Sequence, residues 1–238
     1  MSGVKGFSPF LFNDKEKVVR IGIELCEDLW CKDYNENPTQ EIVNMGVDIV
    51  INISASPWTC GKNRARDNRV KEVIKWNDEK LPVFAYVNCV GSQNNGKNIL
   101  SFDGASTVYG KDGNILIEGN SDYREEMITF DTTGLPKKNI YRKEEDDIHR
   151  KYVSIIEGIR HMSDVTRNYK YVIGLSGGID SAVVSSLLVD AVGKENVYAV
   201  NMPTRYNSAL TKNTAKTIAY NLAIHYKIIP IEEQVDIR

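Results

Sequence analysis

Two stretches of this 238-residue sequence carry residue types at spacings that can do chemistry. The first, "IELCEDLWC" from Ile23 to Cys31, places a thiol among acidic residues at the end of an apolar run. A cysteine on an apolar strand is ordinarily a small core residue, and Cys31, Cys60 and Cys89 read that way. Cys26 differs. The strand pattern stops just before it, and Glu27 to Trp30 turn the chain, which is where a nucleophile can point into a pocket. The second stretch, "GLSGGIDSAV" from Gly174 to Val183, sets a loose glycine turn between two hydrophobic segments. Successive backbone amides in such a turn, with the unpaired amides of a helix start, make a cradle for an anion. Gly177 and Gly178 let the backbone approach a phosphate, and serine hydroxyls add donors. A carboxylate at Asp180 would repel a phosphate unless a cation lay between them, so magnesium is implied. The Walker pattern is absent because no lysine occupies the turn, and G-x-G-x-x-G is absent as well.

The elements that must position these groups follow from hydrophobic periodicity. Residues 19–25 ("VRIGIEL"), 47–53 ("VDIVINI") and "PVFAYVNCV" from Pro82 are short and rich in β-branched residues, as buried strands are. Between the last two lies the polar stretch 62–80, where Val70, Ile74 and Trp76 suit an amphipathic helix. In "GASTVYGKDGNILIEG" two alternating segments flank Lys111-Asp112-Gly113, a hairpin signal. Residues 131–150 hold a glycine, a proline and the charge run "KEEDD", and read as a connection whose acidic end opens a helix through Val153, Ile156 and Ile159.

Beyond it the sequence alternates: strand "YVIGL", glycine turn, helix "SAVVSSLLVDAV" with Val184, Leu188 and Val192 on one stripe, and Gly193 as its stop. Strand "VYAVNM", a helix presenting Ala215, Ile218, Ala219 and Leu222, and strand "HYKIIPI" complete the pattern, which predicts parallel pairing. The fold class is α/β in both halves.

Composition narrows the function. Thirty basic residues against 32 acidic ones leave a net charge of −2, which gives no electrostatic case for nucleic acid or an anionic membrane surface. No apolar run approaches the roughly 20 residues of a membrane helix, and the first residues have no signal-peptide core, so a cytoplasmic setting is the default. The four cysteines form no C-x-x-C pair and lie far along the chain from the three histidines, which argues against zinc and against a disulfide framework. The sequon Asn52-Ile53-Ser54 falls inside a strand pattern and reads as chance.

"SGGIDS", Ser176 to Ser181, resembles the pyrophosphate loop of the ATP pyrophosphatases. The longer run from Tyr171 through "MPTRYNS" resembles their NAD synthetase branch, and "GIELCEDLW" is similar to the nucleophile segment of the nitrilase superfamily. "NISASPWTCGK", "YVNCVGSQN" and "SFDGASTVYGKDG" follow in the order seen in glutamine-dependent NAD synthetases. That resemblance implies the second half of an α-β-β-α nitrilase-like glutaminase over residues 1–130, a linker over 131–150, and the first βαβαβ part of a Rossmann-like ATP-binding domain over 151–238. It implies that Cys26 attacks the glutamine side-chain amide, with Ser56, Lys62 and Glu27 binding glutamine. It implies that Gly174, Leu175, Ser176, Gly177, Gly178, Ile179, Asp180 and Ser181 hold the pyrophosphate of ATP, Asp180 through Mg2+, with Met202 and Arg205 beside the adenosine. The substrates would be deamido-NAD, glutamine and ATP, and the complete enzyme a homo-oligomer.

In the family a glutamate base and a lysine precede the cysteine by many tens of residues, whereas 25 residues precede Cys26 here, and Lys5, Lys15 and Lys17 lie outside the lysine motif. The chain is therefore expected to be an internal fragment, inactive in isolation and with strand faces left uncovered. The alternatives are a non-catalytic nucleotide-binding remnant, or another amidotransferase of the same ATP family.

Overall fold

The computed structural model describes residues 8–14, 17–76, 82–131, 140 and 147–235. The chain divides into two compact units, Met1–Arg150 and Lys151–Arg238. Most of the 131–150 connection, including Lys143 to Asp146 of the charge run, lies outside the described residues, as do Lys5, Lys15 and the Trp76 side chain.

The first unit is built on a six-stranded sheet. Its strands are β1 (Phe10–Asp14), β2 (Lys17–Leu25), β3 (Ile49–Ser54) and β4 (Val83–Asn88), then β7 (Thr107–Tyr109) and β8 (Ile115–Glu118). A separate hairpin, β5 (Val90–Asn94) and β6 (Ile99–Asp103), interrupts the sequence order. β2, β3 and β4 run parallel, which places their carboxyl ends side by side, and β1, β7 and β8 pair antiparallel at the two edges. β1, β5 and β6 were not legible as strands: β1 is five residues long, and Gly91, Ser92 and Gln93 dilute the alternation in β5.

One face of the sheet is covered by α1 (Pro38–Asn44) and α2 (Lys62–Trp76), where Val70, Val73 and Ile74 pack on Val50, Phe84 and Tyr86. Asn37 caps α1 by accepting from the Gln40 amide at 3.0 Å, and Pro38 opens the helix where no amide partner is needed. Gly22 is obligatory beneath α1, because a methyl there would overlap the Ile42 side chain. On the opposite face Ile49, Val83, Ala85 and Val108 form a second cluster. Toward the strand ends the register row Leu25, Ile53 and Val87 is exposed, at 62%, 48% and 46%. Uncovered strand face was the expectation from the sequence.

The second unit is strand, helix, strand, helix, strand. β9 (Tyr171–Gly174), β10 (Val197–Asn201) and β11 (His225–Ile228) are parallel, with β10 central, and α4 (Ile179–Val192) and α5 (Ala209–Asn221) are the crossovers. Leu175, Leu188, Val197, Ala199, Ala215 and Ala219 make its core, joined by Ile159 of α3 (Asp147–Thr166). The expected α4 stripe needs one correction. Leu188 is buried and Val192 half-buried, but Val184 is exposed, and Ser185 takes the inward place with its hydroxyl on the Ser181 carbonyl at 2.8 Å. The inward face therefore runs 185, 188, 192 at i, i+3 and i+7, one residue round from the expected stripe.

Candidate active site

The β2 strand ends at Leu25, and the chain turns at once into a 3-10 helix, Cys26–Asp33. Cys26 sits at φ +30, a conformation a non-glycine residue adopts only under constraint. The constraint is local: the Leu25 amide donates to Asp28 Oδ2 at 2.8 Å, which folds the acidic segment back on the strand end. The turn presents the half-buried thiol to a cavity of about 550 Å3. Glu27, Ser56 and Lys62 line the same cavity, although they come from the 3-10 helix, the loop after β3 and the start of α2.

Each wall is fixed by its own hydrogen bonds. Asn88, the last residue of β4, brackets Ser56: its Oδ1 accepts from the Ser56 amide at 2.9 Å and its Nδ2 donates to the Ser56 carbonyl at 3.3 Å. The Lys62 amide donates to the Thr59 carbonyl at 3.1 Å, closing a turn with Cys60 and Gly61 at its tip. Burial pushes the Lys62 ammonium below its ordinary value, and the nearby charges of Cys26 and Asp103 oppose that. Next along α2, Asn63 donates to Asp103 at 3.1 Å, and Asp103 also receives the buried Arg150 guanidinium at 2.7 Å.

Beneath the thiol lies a buried polar chain. Thr39 donates to Glu24 at 2.7 Å, Asn52 donates to Glu24 at 2.8 Å, and Ser54 donates to Asn52 at 2.6 Å. Glu24 and Asn52 are register partners, so this chain locks β2 to β3 two residues before Cys26 and Ser54. Burial raises the Glu24 carboxyl above the usual range, partly offset by its two donors. It also accounts for the sequon, since Asn52 is wholly buried.

The cysteine expectations divide. Cys31 is buried, with its thiol on Asn37 Oδ1 at 3.5 Å, as a core cysteine should be. Cys89 is half-buried. Cys60 departs from the core reading: it is exposed and lines the Cys26 cavity, because the turn at Gly61 (φ +74) lifts it out of any strand. Asn88, Glu24 and Asp103 were missed as positioning residues. All three lay within the quoted motifs, and their polar types at or next to strand ends were the available signal.

The glycine turn forms at the carboxyl end of β9. Gly177 adopts φ +88, and a methyl there would overlap the Thr211 carbonyl of α5, so only glycine fits. Ser176 and Ser181 close the turn on itself: their hydroxyls are 3.2 Å apart, Ser176 Oγ accepts from the Gly178 amide at 3.2 Å, and Ser181 Oγ donates to the Gly178 carbonyl at 3.0 Å. Gly178 caps α4 without a side-chain hydrogen bond, which leaves the first-turn amides directed out of the helix end, where Ile179 and Asp180 are exposed. Leu175, expected in the cradle, belongs to the core instead. Its amide donates to the Val200 carbonyl at 2.9 Å and its carbonyl accepts from Asn201 at 2.7 Å. Met202 leaves the end of β10 with its Sδ-methyl over Gly174. Arg205 is held by Glu232, through its amide at 2.6 Å and its guanidinium at 3.1 Å, and lies over the Tyr206 ring.

Comparison with known proteins puts names beside these two sites. Residues 151–238 match the family model described as NAD synthase. The chain is 33% identical over 227 residues to a glutamine-dependent NAD(+) synthetase of Synechocystis sp., covering 90% of this chain and 39% of that protein. It is 30% identical over 251 residues to the glutamine-dependent NAD(+) synthetase of Aquifex aeolicus, covering 90% and 42%. The structure superposes on a glutamine-dependent NAD+ synthetase from Acinetobacter baumannii, solved with adenosine diphosphate, with a TM-score of 0.81 and 28% identity over 98% of this chain and 42% of that one. The chain thus spans about 40% of the length of the relatives it matches.

Proposed function

We propose, from the match of residues 151–238 to the NAD synthase family model and the likeness of the whole chain to glutamine-dependent NAD(+) synthetases, that this chain carries the thiol half of a glutaminase site and the pyrophosphate turn of an NAD+-forming ligase. One observation carries the reading: Cys26, Glu27, Ser56 and Lys62 come from three separate elements and line a single cavity. Such convergence has no structural purpose in a core, and the cavity suits a molecule the size of an amino acid.

In that reaction the Cys26 thiolate attacks the side-chain amide carbon of glutamine. The carbon–nitrogen bond breaks, ammonia leaves, and water releases glutamate from the thioester. Lys62, which lines the cavity, holds the glutamine carboxylate, while Ser56 and Glu27 hold the α-amino end. Asn88 and the Glu24–Asn52 pair act through them, by fixing the strand ends.

At the second site a carboxylate oxygen of deamido-NAD attacks the α-phosphorus of ATP and pyrophosphate departs. Ammonia then displaces AMP to form the amide. The first-turn amides of α4 and the Ser176 and Ser181 hydroxyls receive the pyrophosphate, with Met202 and Arg205 beside the nucleoside. The turn fits a phosphate, because Gly178 leaves the start of α4 with no side chain in front of its first-turn amides and the Ser176 and Ser181 hydroxyls lie beside them. It also fits Mg2+: the exposed Asp180 carboxylate beside the first-turn amides can serve as one protein ligand of an ion whose other positions phosphates and water fill. When bound, that ion would neutralise charge on the departing pyrophosphate.

The test uses this chain within a protein of the relatives' full length. Cys26→Ala is expected to abolish NAD+ formation from glutamine while leaving formation from free ammonium unchanged. Glutamine-driven turnover that survives the substitution overturns the nucleophile assignment. Loss of ATP–pyrophosphate exchange with glutamine and ammonium alike would show that the two sites are not separable as described.

A further inference from the structure

Cys60 brings a second sulfur to the thiol cavity, one with no part in the proposed glutaminase reaction. Amide hydrolysis needs a single sulfur nucleophile, yet two free thiols line the same space of about 550 Å3. Cys26 is half-buried on its wall, while Cys60 is exposed. Three features bear on what the second sulfur can do. Cys60 sits at the tip of the Thr59–Lys62 turn, where Gly61 at φ +74 has open space on its side-chain face, with only the Arg64 guanidinium near, at 3.9 Å. Lys62, which closes that turn, lines the same cavity as both sulfurs. Cys31 and Cys89, by contrast, do not line the cavity, and Cys31 is buried.

We propose that Cys26 and Cys60 form a reversible disulfide that switches the thiol site off, with a low-molecular-weight disulfide as the oxidant. The exchange has two steps. The exposed Cys60 thiolate attacks one sulfur of the external disulfide, giving a mixed disulfide and releasing one thiolate. The Cys26 thiolate then attacks the Cys60 sulfur, forming the Cys26–Cys60 bond and expelling the second thiolate. The two cysteines together lose two protons and two electrons, and the external disulfide takes up both as two thiols. The bond needs Cα atoms within about 7 Å, so forming it requires the exposed turn tip to close on Cys26 across the cavity they share. A reductant of the cytosolic kind reverses it. Cross-linking depends on the shared cavity alone. Only its consequence, loss of glutamine hydrolysis, rests on the reading of Cys26 as the nucleophile.

The experiment uses the 238-residue chain incubated with oxidised glutathione, then alkylated and mapped by mass spectrometry without reduction. The expected result is a Cys26–Cys60 cross-linked peptide two hydrogens lighter than the sum of its parts, and a fall of roughly tenfold or more in Cys26 alkylation that dithiothreitol restores. Cys60→Ser should remove the cross-link while leaving Cys26 open to alkylation. Glutathione adducts on Cys60 and Cys26 without a cross-link overturn the proposal, as does a bridge made instead to Cys31 or Cys89, or a cross-link that forms equally in the urea-unfolded chain. Because the readout is a covalent bond and not turnover, its failure leaves the glutaminase reading untouched. Failure of that reading would equally leave the bond in place.

Discussion

The thiol cavity and the glycine turn both stand at the carboxyl ends of parallel strands, but they are held in opposite ways. The cavity gathers Cys26, Ser56 and Lys62 from three elements, and its geometry depends on buried hydrogen bonds between residues far apart in sequence, such as Asn88 to Ser56 and Asn52 to Glu24. The turn is a single contiguous run whose hydroxyls and amides bind one another within five residues, apart from one close approach to α5 at Gly177. A site that must grip a small organic molecule from several sides needs long-range scaffolding. A site that meets phosphate with backbone amides needs only one well-shaped loop. The difference predicts where each is fragile: the cavity through remote polar residues, the turn through its own backbone.

The largest effect should come from the most remote support. Asp103 receives Arg150 at 2.7 Å and Asn63 at 3.1 Å in a buried setting. Asp103→Ala breaks a buried ion pair while the Arg150 guanidinium keeps its contacts to Ser121, and removing one partner of such a pair typically costs about 3–5 kcal/mol. Denaturant unfolding should show that loss, and hydrogen exchange should locate it in β2 to β4 and α2, with β9 to β11 unchanged. Equal loss of protection in both units would break the claim that the two sites are separately scaffolded.

Gly177→Ala is the matching experiment on the turn. The new methyl meets the Thr211 carbonyl, which is backbone and cannot swing away, and φ +88 is unfavourable for any residue with a side chain. Together these give roughly 2–4 kcal/mol. Protection should fall at the α4 and α5 amino-terminal turns while Cys26 alkylation keeps its wild-type rate. Unaltered exchange in α4 and α5 would mean the turn tolerates the strain.

The same contrast decides what could be read from the sequence. The glycine turn was legible because its determinants are contiguous: strand, three glycines, Asp180 and helix follow one another, and the structure places them so. The parallel strands of both units were legible from runs such as Ile49–Ser54 and Val197–Asn201. Convergence of Cys26, Ser56 and Lys62 was reached only through resemblance, since no spacing rule links residues 26, 56 and 62. Cys60 was misread because its type suggested core, and only the turn at Gly61 places it at the cavity. Leu175 failed in the other direction: its position within the motif suggested the cradle, but an apolar side chain following a buried strand packs inward. Ser185 took the place expected of Val184 because helix register is set by tertiary packing, which a stripe of similar residues does not specify.

A smaller effect is expected at Lys62, and it sharpens the comparison by isolating one charge in the cavity. Charged hydrogen bonds contribute about 1.5–3 kcal/mol, so Lys62→Gln in the full-length protein should raise the glutamine KM by about ten- to a hundredfold with ammonium-driven turnover intact. Burial holds the ammonium below the ordinary lysine value of 10.5, so in the native enzyme the glutamine KM should start to rise at a lower pH than an exposed lysine would give. Lys62→Arg stays charged throughout and should flatten that rise. Glutamine itself titrates identically in both proteins, so the difference between the two profiles belongs to Lys62 alone.

The smallest effect is in the buried chain under the thiol, and it has a definite sign. Glu24 binds its proton more tightly in the folded chain than in the unfolded one, because burial penalises the carboxylate more than Thr39, Asn52 and Arg69 support it, and Asp28 adds to the penalty. The folded state therefore holds more protons than the unfolded state between the two values. Stability from this group is complete below about 4.5, the ordinary glutamate value, and is lost as pH rises through that window. Glu24→Gln removes the titration and keeps the shape, since the Thr39 hydroxyl can turn from donor to acceptor and meet the new amide nitrogen. Melting temperature plotted against pH should accordingly fall less steeply for the variant above pH 4.5, with the two curves converging in acid. Cys26 alkylation at fixed pH should stay within about twofold, because the hydrogen bonds that lock β2 to β3 survive the exchange. Parallel melting curves would mean that the carboxyl is already relieved of its burial penalty, and that the lock between the strands carrying Cys26 and Ser56 is not under electrostatic load.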